Sequence, residues 1–277
     1  MREAILLVSH GSSMLSADQS GTDLIYQDLV HDNPDRKVYQ AYTAPKTIAR
    51  LNAMREEGRL DAKTPVGSIE EAMDQIISDG AEILYVVETF LVPGLKYKNM
   101  RKKLEEYQDS FRRMYVTSPV LNRSEDCDEL ADLLIEFMDL DKETEHVFIA
   151  HGAPREAEAN GRLEEMNDAF DAMGYGNLHV VLVRNGTFGL RDLAEDIARE
   201  HKEAKVIVHP FMLIAGRHLL KDICGGPDSA EAILKSYGFD VTVDKAGLAE
   251  HAPFRNIYYM KLFEKMQQHA KWEEKNL

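Results

Sequence analysis

Cysteine is scarce in this chain: two, Cys127 and Cys224, in 277 residues. They lie far apart and form no Cys-x-x-Cys pair, which excludes a disulfide framework and a thiolate zinc site. Long apolar runs are missing too. The opening "MREAILLVSHG" carries a run of five apolar residues, Ala4–Val8, short of a signal-peptide core. Nowhere does a stretch approach the roughly 20 apolar residues of a membrane span. No membrane partner is expected, and the expected location is the cytoplasm. Basic charge is in deficit: 33 Lys and Arg stand against 48 Asp and Glu, a net charge of −15. That excludes a nucleic-acid partner, which needs clustered cations, and favours attraction of cations. Hydrolase signatures such as Gly-x-Ser-x-Gly and His-Glu-x-x-His do not occur. "GGPDS", Gly225–Ser229, is not a phosphate loop, because the Lys-Ser/Thr and the preceding strand are missing.

Hydrophobic residues make up 44% of the chain, enough for a full core. Short apolar runs mark strands at Ala4–Val8, Val38–Ala41, Ile83–Val87, Met114–Val116, Val147–Ala150, His179–Val183, Val206–His209 and Val241–Asp244. Amphipathic segments between them include Ser68–Asp79, Tyr97–Ser110, Glu125–Met138, Ala157–Met173 and Leu190–Glu200, with caps expected at Ser68 and Ser124. Buried strands alternating with helices imply parallel sheets covered on both faces, an α/β fold.

The two halves echo each other. "AILLVSHGSS" corresponds to "HVFIAHGAPR", and "AEILYVVETFLVPGLKYKNM" loosely to "AKVIVHPFMLIAGRHLLKDI". Aligning Gly94 on Gly216 sets Phe90 against Met212, Leu91 against Leu213, Leu95 against Arg217 and Lys96 against His218. The expectation is two similar Rossmann-like lobes, 1–130 and 131–277, with a cleft between them and a last helix, from Pro253, crossing back to the first.

Ligands of open parallel sheets bind beyond the carboxyl ends of the strands, where His10 and His151 fall. The glycine after each permits a tight turn. Either ring has a plain alternative role, capping a neighbouring carbonyl. Arg217 and His218 open a helix, against the preference of a helix N-terminus for anions, so an acidic ligand or a metal would account for them. A solvent-exposed helix residue is the alternative for His218. His209, inside its strand, reads as a core histidine. Arg184 and Asn185 in "VRNGTFG" would face the cleft, and Glu88 ends "ILYVVE" as a candidate cleft carboxylate.

Together these stretches resemble the class II tetrapyrrole chelatases, specifically the anaerobic sirohydrochlorin cobaltochelatases of the CbiK type. The likeness runs along nearly the whole chain through "AILLVSHGSS", "NPDRKVYQAYTA", "VFIAHGA", "HPFMLIAGRHLLKDI" and "AGLAEHAPFRNIYYMKL". It implies two α/β lobes that bind a metal-free tetrapyrrole, with Co2+ as a substrate metal and no organic cofactor. It makes His151 and His218 the metal ligands and proton acceptors. His10, Glu88, Lys96, Arg184 and Arg217 would bind the substrate, the basic ones through the macrocycle's carboxylates. Two positions depart from the family. Members carry a glutamate near Lys96 and another where this chain has "VRNGTFG". His10 departs as well, standing where an aromatic residue is common, although short single-lobe chelatases carry a histidine in that motif.

The expected function is insertion of Co2+ into sirohydrochlorin in anaerobic cobalamin biosynthesis. The alternative is a non-catalytic tetrapyrrole- or metal-binding protein on the same fold. A two-lobed sugar or peptide binder is disfavoured by the absent export signal and by the histidines at strand ends. Oligomeric state, a homo-oligomer included, stays open.

Overall fold

The computed structural model describes residues 2–11, 21–60, 67–153, 155–183, 189–201, 203–216 and 222–276. The chain divides into two compact units. The first comprises Met1–Phe90, Leu95–Val120 and Arg255–Leu277; the second comprises Leu91–Gly94 and Leu121–Phe254. The main crossing between them falls at Val120–Leu121.

The first unit holds a four-stranded parallel sheet of β1 (Glu3–Ser9), β2 (Lys37–Tyr42), β3 (Ile83–Glu88) and β4 (Arg113–Val116), in the order β2-β1-β3-β4. Its helices are α1 (Gly21–Asp32), α2 (Pro45–Glu56), α3 (Ile69–Ser78) and α4 (Leu95–Glu105). Ile5, Leu6, Leu7, Leu84 and Val86 are fully buried, as strands covered on both faces require. Leu6, Val8, Leu84 and Val86 pack on one face against Met73 and Ile76 of α3 and Met100 and Leu104 of α4. Tyr85 and Tyr115 stack on the opposite face, where His269 meets both rings edge-on.

The second unit repeats the plan with β5 (Glu145–Ala150), β6 (Leu178–Leu182), β7 (Lys205–Pro210) and β8 (Asp240–Val243), in the order β6-β5-β7-β8. Its helices include α5 (Glu125–Phe137), α6 (Ala157–Ala172), α7 (Leu190–Glu200) and α8 (Ala230–Ser236). Val147, Ile149, Val206 and Val208 pack against Leu193 and Ile197 of α7 and Leu234 of α8. The long helix α9 (Ala252–Asn276) carries Arg255 onward into the first unit.

All eight expected strands are present, with ends moved by a residue or two. The caps divide. Ser68 forms a full capping box with Glu71 at the start of α3, its hydroxyl accepting from the Glu71 N–H at 3.2 Å. Ser124 does not cap α5: its backbone is already helical, and Asp126 Oδ2 accepts instead from the N–H groups of Asn122 and Arg123, both at 2.8 Å. These bonds fix the turn before the helix, and the Ser124 hydroxyl accepts instead from Arg162 Nη1 at 2.6 Å.

Candidate functional site

The repeat holds at the level of single backbone hydrogen bonds. After β1, Thr43 donates to the carbonyl of Ser9 at 2.9 Å, and after β5, Val183 donates to Ala150 at 2.9 Å. Val120 and Leu121 donate to Phe90 and Leu91, while Leu248 and Ala249 donate to Met212 and Leu213. Phe90 and Leu91 thus match Met212 and Leu213, the pairs set by aligning Gly94 on Gly216; in the sequence that alignment sets Lys96 against His218. Each first sheet strand then delivers a His-Gly pair, with Gly11 at φ 83° and Gly152 at φ 70°. Both values lie in the left-handed region that favours glycine. A Cβ on Gly11 would also stand 2.7 Å from Thr47 and 2.8 Å from Tyr42.

His151 is half-buried, and its Nδ1 lies 2.8 Å from the carbonyl of Gly152. A carbonyl only accepts, so Nδ1 carries the hydrogen and Nε2 is the acceptor nitrogen. That is how a metal-binding imidazole is oriented: one ring nitrogen donates to protein and the other turns to the metal. The carbonyl-capping alternative for the ring therefore describes one of its two nitrogens. Asn160 of α6 holds the same turn from behind. Its Oδ1 accepts from the Ala153 N–H at 2.7 Å and its Nδ2 donates to the Ala153 carbonyl at 3.0 Å. Sequence reading passed over Asn160, although an asparagine early in a helix, at a cost in helix propensity, is a signal for such a contact.

In the first unit, Lys96 Nζ donates to His10 Nε2 at 3.0 Å, and His10 Nδ1 lies 3.0 Å from Thr43 Oγ1. An ammonium has no acceptor, so Nε2 is the acceptor and Nδ1–H donates to the hydroxyl. Burial, and then the Lys96 charge, push the imidazole pKa down to about 4, so the ring is neutral at physiological pH. Glu88, at the end of β3, is fully buried. Its Oε2 accepts from the Phe90 N–H at 2.8 Å, while Oε1 has no hydrogen-bond partner among the described residues. Burial raises its pKa to about 8, against the pull of the Phe90 N–H and of Lys261 and Arg101. At neutral pH the group is a carboxylic acid.

Arg184, Arg217 and His218 lie outside the described residues, so the structure brings together His10 and Lys96 of the expected set. Among the described residues, no three His, Cys, Asp or Glu side chains gather into a metal site. His209 is a buried core group, its Nε2 3.0 Å from His146 Nδ1 and its Nδ1 3.3 Å from Asp244, with Phe148 stacked on its ring. Neither cysteine is in a disulfide, and Cys127 is buried. No described helix is long and apolar enough to cross a membrane.

Two α/β units with matching sheets, each ending its first sheet strand in His-Gly, have the architecture of the chelatases. SirB from Bacillus subtilis, solved with Fe3+, matches with a TM-score of 0.65 at 13% identity, over 95% of each chain. The sirohydrochlorin chelatase SirB from Bacillus subtilis subspecies spizizenii, in complex with cobalt, matches at 0.57 and 14%, again over 95% of each. CbiX, the terminal enzyme of siroheme biosynthesis in denitrifying bacteria, matches at 0.52 and 15%, over 93% of this chain and 98% of its own. The sequence then narrows the class: the cobalt chelatase (CbiK) family model matches residues 3–267, and the chain belongs to that family. A sirohydrochlorin cobaltochelatase of Salmonella typhimurium is 26% identical over 267 residues, 95% of this chain and 96% of the relative.

Proposed function

We propose that this chain is a sirohydrochlorin cobaltochelatase, inserting Co2+ into the metal-free macrocycle in anaerobic cobalamin biosynthesis, with His151 and His218 as metal ligands and proton acceptors. The observation that carries the reading is the orientation of His151: its Nδ1–H is spent on the Gly152 carbonyl, which leaves Nε2 as the acceptor at a strand end. Family membership and the Salmonella typhimurium relative support the substrate.

Insertion exchanges one divalent cation for two pyrrole N–H protons, so the macrocycle's core charge is balanced when two protons leave. The residues beside it must hold a metal loosely and then accept protons. Neutral imidazole does both, with an ordinary pKa of about 6.5. Lys96, Arg184 and Arg217 are proposed to meet the macrocycle's carboxylates. Glu88 enters as a neutral acid enclosed at the end of β3. Co2+ is the substrate metal; imidazole follows the general affinity order of divalent ions, and supply decides among Co2+, Fe2+ and Ni2+.

The test is an anaerobic absorbance assay of sirohydrochlorin with Co2+. Insertion is expected to fall at least ~100-fold, about 2.7 kcal/mol of barrier, in both His151→Ala and His218→Ala. A loss of only a few-fold in either would remove that residue from the chemistry. A second reading, a tetrapyrrole-binding protein without turnover, is favoured by Lys96 and Arg184 standing where family members carry glutamates. It predicts a wild-type rate no faster than the reaction without protein.

A further inference from the structure

The units build the same turn and furnish it differently. His10 and His151 follow equivalent strands, precede glycines with positive φ, and both carry the ring hydrogen on Nδ1. In each case Nε2 is the acceptor. The helix after β3 brings Lys96 to the position that His218 holds in the sequence after β7, a register supported by the paired backbone bonds of Phe90 and Leu91 with those of Met212 and Leu213. The first unit thus shows a ring and a cation in contact at 3.0 Å.

We propose that Lys96 takes on His10 the position that a divalent metal takes on His151, so that the first unit refuses metal and presents an ammonium to a carboxylate of the macrocycle. The metal and macrocycle roles rest on the function proposed above; the blocking of His10 rests on its own contacts. A neutral imidazole has one ring lone pair, and a metal would need it at about 2.0–2.1 Å. Lys96 already uses that lone pair, and its charge would repel a second cation. Burial, and then the Lys96 charge, lower the ring's pKa, so a proton does not compete for that lone pair at neutral pH. Thr43 fixes the ring from the other side and is itself tied to Ser9. Lysine therefore does more than remove the family's carboxylate. It puts a fixed cation on the first unit's copy of the turn that in the second unit carries His151.

The experiment uses the full chain with 15N-labelled histidine and Zn2+ alone as a diamagnetic divalent probe, the rings being assigned through His10→Gln and His151→Gln. In wild type, Zn2+ is expected to shift His151 Nε2 and leave His10 Nε2 unmoved. In Lys96→Met, His10 Nε2 is expected to shift as well. A wild-type His10 that responds with His151, or a Lys96→Met His10 that stays unmoved, overturns the blocking role. The carboxylate role is read from absorbance titration of metal-free sirohydrochlorin, which needs no turnover. Lys96→Met is expected to weaken Kd about tenfold, near 1.4 kcal/mol, with Lys96→Arg close to wild type. An unchanged Kd in Lys96→Met overturns it. Failure of the chelatase reading would show instead as absent insertion by wild type, with both of these comparisons still readable.

Discussion

At the scale of single residues, burial decides which groups carry charge. Glu88 is an acid whose pKa is raised from 4.5 to about 8 by its enclosure. In the unfolded chain it ionises near 4.5, while the folded chain keeps its proton to about pH 8. The unfolded state therefore binds fewer protons across that window, and this group's effect is to lower stability as pH rises through it. The expected slope is up to about 1.4 kcal/mol per pH unit. Urea unfolding of wild type and Glu88→Gln at pH 5, 6.5 and 8 measures it: the variant should gain on wild type as pH rises, and parallel curves would refute a buried acid. Little of this was legible in the sequence. In the sequence Glu88 is a strand-end carboxylate, but its neighbours Lys261 and Arg101 come from α9 and α4. Likewise His10 and Lys96 are 86 residues apart. The sequence marks each by itself as a candidate substrate contact, and only the fold makes the pair.

At the scale of elements, the strands were legible because both faces of each sheet are covered, which leaves short, nearly continuous apolar runs. Glycine, histidine and repeat then pointed to the strand ends. What stayed hidden was what holds the loops after them. Gly247 precedes Leu248 at φ −76°, an ordinary backbone value, so conformation does not demand glycine there. Space does: a Cβ would stand 2.7 Å from the Leu213 carbonyl oxygen, 2.8 Å from the Ala215 nitrogen and 3.0 Å from the Ile214 Cα. All three belong to the backbone of the segment that leads from β7 to Gly216 and on to His218. Gly247→Ala must push that segment away, at an expected cost of about 1–3 kcal/mol. Thermal unfolding should show the loss, and the anaerobic assay should fall further than stability alone explains. A variant with wild-type turnover would show that this segment does not position the chemistry. The Ser124 expectation failed because its hydroxyl accepts from Arg162, a partner 38 residues away that sequence order does not reveal.

At the scale of the whole molecule, acidic residues outnumber basic ones by 48 to 33, so the protein's field draws divalent cations and opposes an anionic macrocycle. The fixed ammonium on His10 is then a local exception within an acidic surround. Monovalent salt separates these contributions, because the screening length falls from about 30 Å at 0.01 M to about 8 Å at 0.15 M. The KM for Co2+ is expected to rise several-fold over that range at constant pH. A flat KM would mean that net charge plays no part in metal capture. The repeat was visible in the sequence as matched His-Gly stretches, but the identical strand orders β2-β1-β3-β4 and β6-β5-β7-β8 needed coordinates, since apolar runs do not say which strands are neighbours.

The route of the chain has a consequence for biosynthesis. The first unit is assembled from both ends of the sequence, with the second interposed before Arg255–Leu277. On the ribosome, the second unit's residues are therefore complete while the first still lacks the helix whose His269 covers Tyr85 and Tyr115. The half that carries His151 has its whole sequence in place before Arg255 is added. The half that carries His10 and Lys96 is complete only with the last helix, which covers that aromatic face.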